Sequence, residues 1–146
     1  MLLLAVLAAA LAIGIGLVTS FYMGAASFAY FLLLAGMKVR RVNRLLHRRL
    51  MFSAMGIDLA LVLLLEIQRN AVETVVALDL SPLQLGHVFT STLAIALYLP
   101  ALLLGRKLWA KEDARVRLWH KRIGITAFAL RTAGFLLMFS LLGRNG

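Results

Sequence analysis

The chain has 146 residues, 62% of them hydrophobic, and its mean hydropathy is +0.92. Soluble domains hold roughly 45–50% apolar residues, so this composition indicates one integral membrane domain. The formal charge of +10 would suggest a nucleic-acid partner in a soluble protein. Here the cations are gathered into two loops between apolar segments, which is typical of membrane topology and argues against nucleic-acid binding. The absence of cysteine excludes disulfides and thiolate metal ligands.

Four apolar segments predict an all-α bundle of four transmembrane helices without a second domain. The predicted helices cover about residues 2–37, 49–67, 83–105 and 123–142. The first would measure about 54 Å as one helix, longer than the ~30 Å hydrocarbon core. It is therefore either one long tilted helix or a helix broken near Gly14 and Gly16 or between Thr19 and Gly24. We expect a single crossing, because no polar turn lies in this segment.

Charge predicts how the helices are oriented. The basic loops at 38–49 and 106–122 face the cytoplasm by the positive-inside rule and are expected to contact anionic lipid. Both chain ends then lie outside. Residues 70–80 have amphipathic spacing and predict a short interfacial helix between the second and third crossings. Ser81 followed by Pro82 predicts the start of the third crossing.

The second and fourth crossings begin with related sequences, HRRLM at 47–51 and HKRIG at 120–124. Each carries one charge eleven residues after its histidine, Asp58 after His47 and Arg131 after His120. Eleven residues are about three helical turns, so each charge shares a face with its histidine. Opposite charges at similar depth predict a buried ion pair. That pairing would bring His47 towards His120 near the cytoplasmic surface.

Several interpretations of these groups stay open. The two histidines are interfacial side chains without a ligand, the axial ligands of a haem, or ligands of another metal. The ion pair either fixes one arrangement of the bundle or takes part in proton or quinol chemistry. His87 is expected at the level of Glu66 near the outer face, where with Glu73 it could form a structural contact, a proton relay or a metal site.

The pattern resembles the CtaM-like family of small four-helix membrane proteins, long classed as a domain of unknown function. The resemblance is carried by HRRLM (47–51), DLALVLLLEIQRNAVE (58–73), GHVFTSTLAIALYLP (86–100) and HKRIGITAFALRTAGFLLMFS (120–140). The family has membrane-embedded histidines at the positions of His47, His87 and His120. It commonly has a further histidine after the second helix, where this chain has Asn70.

The resemblance implies a multi-pass protein of the bacterial inner membrane that assists maturation of a haem-copper respiratory oxidase. It implies handling of haem or support of cofactor insertion, with no established reaction. Two alternative functions stay open. In these, the protein is either a cofactor-free structural subunit of a larger membrane complex or a quinol- or haem-linked oxidoreductase. The sequence has no phosphate loop, nucleophile elbow, HExxH or CxxC motif, which argues against hydrolysis of soluble substrates and use of nucleotides and leaves redox chemistry open. An enzyme is the less favoured interpretation.

Overall fold

A computed structural model describes residues 2–18, 20–69 and 80–139. The described residues form five α-helices and no strand, which confirms the all-α class. The helices are α1 (Leu2–Val18), α2 (Phe21–Val39), α3 (Arg44–Arg69), α4 (Pro82–Ala110) and α5 (Ala114–Met138). They fall into two compact units, one holding α1 to α3 and the other α4 and α5.

The preferred single helix over residues 2–37 is wrong. The chain ends one helix at Val18 and starts another at Phe21, which agrees with the alternative break expected between Thr19 and Gly24. The Ser20 side chain caps α2 by accepting a hydrogen bond from the Met23 backbone N–H. A Cβ built on Gly24 would lie 2.9 Å from the Gly16 Cα and 3.0 Å from the Ala12 carbonyl oxygen. In one straight helix Gly24 and Ala12 would be about 18 Å apart, so α1 folds back and crosses α2 at Gly24. The prediction that the amino end lies outside assumed that residues 2–37 cross the membrane once as a single helix. Because α1 and α2 are separate helices, the direction of α2 does not give the side on which the amino end lies.

A short basic connection joins α2 to α3, and the two helices pack against each other. Asn43 caps α3 through its side-chain oxygen, which accepts from the Leu46 backbone N–H at 2.9 Å. Gly36, in the last turn of α2, faces Leu50 and Met51 of α3, whose side-chain atoms lie 3.3–3.5 Å from a Cβ built there. The missing side chain at Gly36 therefore allows a close approach of α3.

The helices α4 and α5 form an antiparallel hairpin. Ser81 and Gln84 make a capping box at the start of α4, with Pro82 in the first turn, which confirms the start predicted from Ser81–Pro82. Asp113 caps α5 by accepting from the backbone N–H groups of Arg115 and Val116. These caps set the two helix starts, and side-chain contacts along the helices set their register.

Three helices are long and apolar enough to cross a membrane: Phe21–Val39, the Arg44–Ile67 part of α3, and Pro82–Ala110. Helix α5 carries several charges up to Arg122, and its mostly apolar part from Ile123 to Met138 is shorter and contains Arg131. The fourth predicted crossing extends to residue 142, beyond the described residues. The interfacial helix predicted over 70–80 also falls almost wholly outside them.

Candidate functional site

His47 lies in the first turn of α3 and contacts the end of α2. Its Nδ1 donates a hydrogen bond to the Gly36 carbonyl oxygen at 2.8 Å. A glycine leaves this carbonyl uncovered by its own side chain, so the imidazole can approach the backbone directly. His47 is half-buried as a result of this packing.

His120 is in the second turn of α5 and makes the corresponding contact with α4. Its Nδ1 donates to the Ala101 carbonyl oxygen at 3.0 Å. The ring also lies against Gly105, one turn further along α4, where a built Cβ would be 3.3 Å from the imidazole Cε1. Two small residues on one face of α4 therefore provide the surface on which the ring packs.

His87, in the second turn of α4, donates from Nδ1 to the Gly134 carbonyl oxygen of α5 at 2.7 Å. The helices approach closely here, because a Cβ built on Gly134 would be 2.5 Å from the Ser91 Oγ and 3.2 Å from the Thr90 Oγ1. The Thr90 hydroxyl donates a hydrogen bond to backbone carbonyl oxygens of its own helix. The Ser91 Oγ is enclosed, with no hydrogen-bond partner in the described part of the chain.

The three contacts share one chemical consequence. A carbonyl oxygen only accepts hydrogen bonds, so each imidazole must carry a proton on Nδ1. In the neutral ring the lone pair then resides on Nε2, the nitrogen able to bind a metal. Histidines that ligate metals commonly donate their other N–H to a carboxylate or backbone carbonyl in this way. All three rings are thus held in the tautomer that a ligand through Nε2 requires.

Asp58 and Arg131 are both buried, with 4% and 6% of their surface exposed. Asp58 follows Ala54 on the buried face of α3, and Arg131 lies one turn before Gly134 on the face of α5 towards α4. Burial of both groups fits the expectation of charges inside a bundle. They belong to different compact units, so their pairing stays a prediction, as does the meeting of His47 with His120.

The outer site proposed from His87, Glu66 and Glu73 also stays a prediction. Glu66 is half-buried near the end of α3, whereas Glu73 lies outside the described residues. Within residues 2–18, 20–69 and 80–139, no three histidine, aspartate or glutamate side chains are grouped closely enough to hold a metal ion.

Sequence reasoning found the three histidines but missed their acceptors, Gly36, Ala101 and Gly134. A detectable signal existed, since each acceptor is a small residue in an otherwise apolar helix. Small residues permit close helix contact in membranes, where a histidine on the next helix can reach the exposed carbonyl. The pairing of particular residues required the helix register.

Comparisons with known proteins found no match: no family model, no curated protein and no solved structure is similar to this chain.

Proposed function

We propose that this protein is a membrane-embedded accessory factor for assembly of a haem-copper respiratory oxidase, and that it binds haem or a transition-metal ion through His47 and His120. The observation that carries the ligand proposal is the pair of Nδ1 hydrogen bonds to Gly36 and Ala101. They orient each imidazole and direct its basic nitrogen away from the neighbouring helix backbone. The oxidase partner comes from the CtaM-like pattern of the sequence.

The orientation of the two rings favours binding for an energetic reason. A side chain already held in one rotamer and one tautomer loses less conformational freedom when a ligand binds. Imidazole nitrogen is a common axial ligand of haem iron and also suits copper and zinc. With no cysteine in the chain, imidazole is its best donor for these metals.

The proposed topology places both histidines near the cytoplasmic surface. The chain crosses the bacterial inner membrane four times, with the basic connections before α3 and before α5 inside and the carboxyl end outside. His47 and His120 then follow these connections at similar depth. Asp58 and Arg131 form the buried ion pair beneath them.

The visible spectrum of the purified protein tests the ligand proposal. Haem held by two histidines gives sharp bands on reduction, and we expect His47→Ala or His120→Ala to abolish them. His87→Ala is the matched control, because it removes an equivalent imidazole contact from the other end of the α4–α5 hairpin. Loss of the bands in the control alone would contradict the assignment. Retention of unchanged bands in both test variants would do the same.

A cofactor-free structural subunit is the second candidate, and one observation favours it. Every histidine already makes an interhelical hydrogen bond, which is by itself a structural use of the residue. A colourless preparation, free of metal by elemental analysis even after exposure to haem and divalent copper, would favour this candidate. Electron transfer with a quinol would be required before assigning an oxidoreductase.

A further inference from the structure

A shallow groove runs along α5 on the side that faces away from α4. It is lined by two cations, one hydroxyl and two aliphatic side chains: Leu118, Lys121, Arg122, Ile125 and Thr126. All five are exposed. Their spacing of three, four and seven residues places them on one face of the helix. The opposite face carries His120, which packs on α4.

The contacts of His120 show how deep this groove lies. His120 packs against Ala101 and Gly105, at the end of the apolar run of α4 that Arg106 terminates. Since α4 is apolar enough to cross a membrane, this level is the boundary between hydrocarbon and water. Lys121 and Arg122 directly follow His120, so their charges lie at the height of lipid head groups.

Trp119 supports this placement. Its indole is half exposed, and the Arg122 guanidinium carbon lies 5.8 Å from the ring centroid. Tryptophan prefers the interface of a membrane, and a cation over its ring is attracted by the π-electrons. The Arg122 guanidinium therefore lies beside the indole at the rim of the groove.

The acidic side chains of the neighbouring connection are engaged elsewhere. Glu112 forms an ion pair with Arg117 at 2.8 Å, and Asp113 caps the start of α5. The Glu112 carboxylate contacts Arg117, and the Asp113 carboxylate contacts backbone N–H groups. The positive charge of Lys121 and Arg122 remains available to an external anion.

We propose that this groove binds the head group of an anionic phospholipid of the surrounding membrane. Lys121 and Arg122 contact the lipid phosphate by charge-assisted hydrogen bonds. Thr126, one turn deeper, offers its hydroxyl to an ester carbonyl, and Leu118 and Ile125 contact the apolar part of the lipid. The site depends on membrane insertion of α4 and α5 and is independent of the haem or metal proposal.

Fluorescence quenching by brominated lipid tests the site in the full-length protein. The chain has two tryptophans, so Trp109→Phe leaves Trp119 as the only indole. The Trp109→Phe variant is placed in two sets of phosphatidylcholine nanodiscs. One set contains brominated phosphatidylglycerol, and the other contains the same mole fraction of brominated phosphatidylcholine. We expect brominated phosphatidylglycerol to quench Trp119 fluorescence more strongly than brominated phosphatidylcholine. Each contributing cation should enrich phosphatidylglycerol near the groove by about fivefold.

Charge-neutral variants separate a site from general attraction. K121Q/R122Q should remove the preference for phosphatidylglycerol. K111Q/R115Q removes the same charge from outside the groove, in the connection after α4 and at the start of α5, and should keep the preference. Far-UV circular dichroism checks that both variants stay helical. Equal quenching by the two lipids would overturn the proposal. An equal loss of preference in the two double variants would overturn it as well, because it would show diffuse attraction to the basic surface.

Discussion

His87 and His120 occupy equivalent positions in the α4–α5 hairpin. His87 of α4 donates to Gly134 of α5, and His120 of α5 donates to Ala101 of α4. His87 and His120 are separated in the sequence by the same number of residues as Ala101 and Gly134. A local twofold rotation therefore relates the His87–Gly134 contact to the His120–Ala101 contact. The hairpin is thereby joined near each end by the same bond, given once in each direction.

This relationship predicts how substitution at His87 affects stability. An asparagine places its amide N–H close to the position of Nδ1, whereas leucine has no donor. Interhelical hydrogen bonds in membranes contribute about 0.6 kcal/mol on average and up to about 1.7. We expect His87→Leu to unfold more readily than His87→Asn by about 1 kcal/mol, measured by denaturant titration in detergent micelles. A leucine variant as stable as the asparagine variant would show that the bond does not contribute.

The tautomer of the three histidines is a separate prediction. Nitrogen-15 NMR of the protein labelled at histidine should show a protonated Nδ1 and an unprotonated Nε2 in each neutral ring, because each Nδ1 faces a carbonyl oxygen. Spectra of single histidine variants assign the signals. A proton on Nε2 of His47 would contradict the hydrogen bond to Gly36 and remove the basis of the ligand proposal.

The crossing of α1 and α2 predicts a graded response to alanine. Gly24→Ala should destabilise the protein by about 1–3 kcal/mol, because its Cβ would press on backbone atoms of Gly16 and Ala12 that cannot rotate away. Gly16→Ala meets its nearest atom at 3.4 Å and should have a small effect. Thermal unfolding followed by circular dichroism measures the difference.

Gly14 provides the control for this series, since a Cβ built there has no atom within 4 Å. Gly14→Ala should leave stability unchanged or raise it slightly through the better helix propensity of alanine. If all three variants were equally stable, α1 would not cross α2 at Gly24.

The proposed ion pair predicts strong coupling between Asp58 and Arg131. Asp58→Asn and Arg131→Met should each destabilise the protein by several kcal/mol, because each leaves the other buried charge uncompensated. The double variant should lose clearly less than the sum of the two. A double-mutant cycle in micelles measures this coupling, and simple additivity would rule out a direct pair.

Topology is tested by labelling single cysteines, and the chain has no cysteine of its own to remove. Val42→Cys and Glu112→Cys occupy exposed positions in the two basic connections and should react with a membrane-impermeant maleimide only from the cytoplasmic side. Thr74→Cys, between α3 and α4 in sequence, should react from the outside. Labelling of Thr74→Cys and Val42→Cys from the same side would contradict the four-crossing proposal.

Hydropathy and capping were enough to predict the helical class, the long apolar segments of α3 and α4, and the helix start at Ser81. These features depend on contiguous residues: a run of apolar side chains must be shielded from water, and a serine before proline satisfies the first backbone donors. Burial of Asp58 and Arg131 was also predictable from contiguous residues, because each lies in the middle of an apolar run. A charged side chain within such a segment is expected to face the interior of the bundle.

The choice between one long helix and a break in residues 2–37, and the acceptors of the three histidines, were decided only by tertiary structure. No strong breaker interrupts residues 2–37; the chain turns at Ser20, where α1 can pack its small residues against Gly24. Likewise, Gly36, Ala101 and Gly134 become acceptors only because the helix register sets a histidine opposite each of them. Contacts between residues far apart in the chain depend on helix packing, and local sequence does not encode the register of that packing.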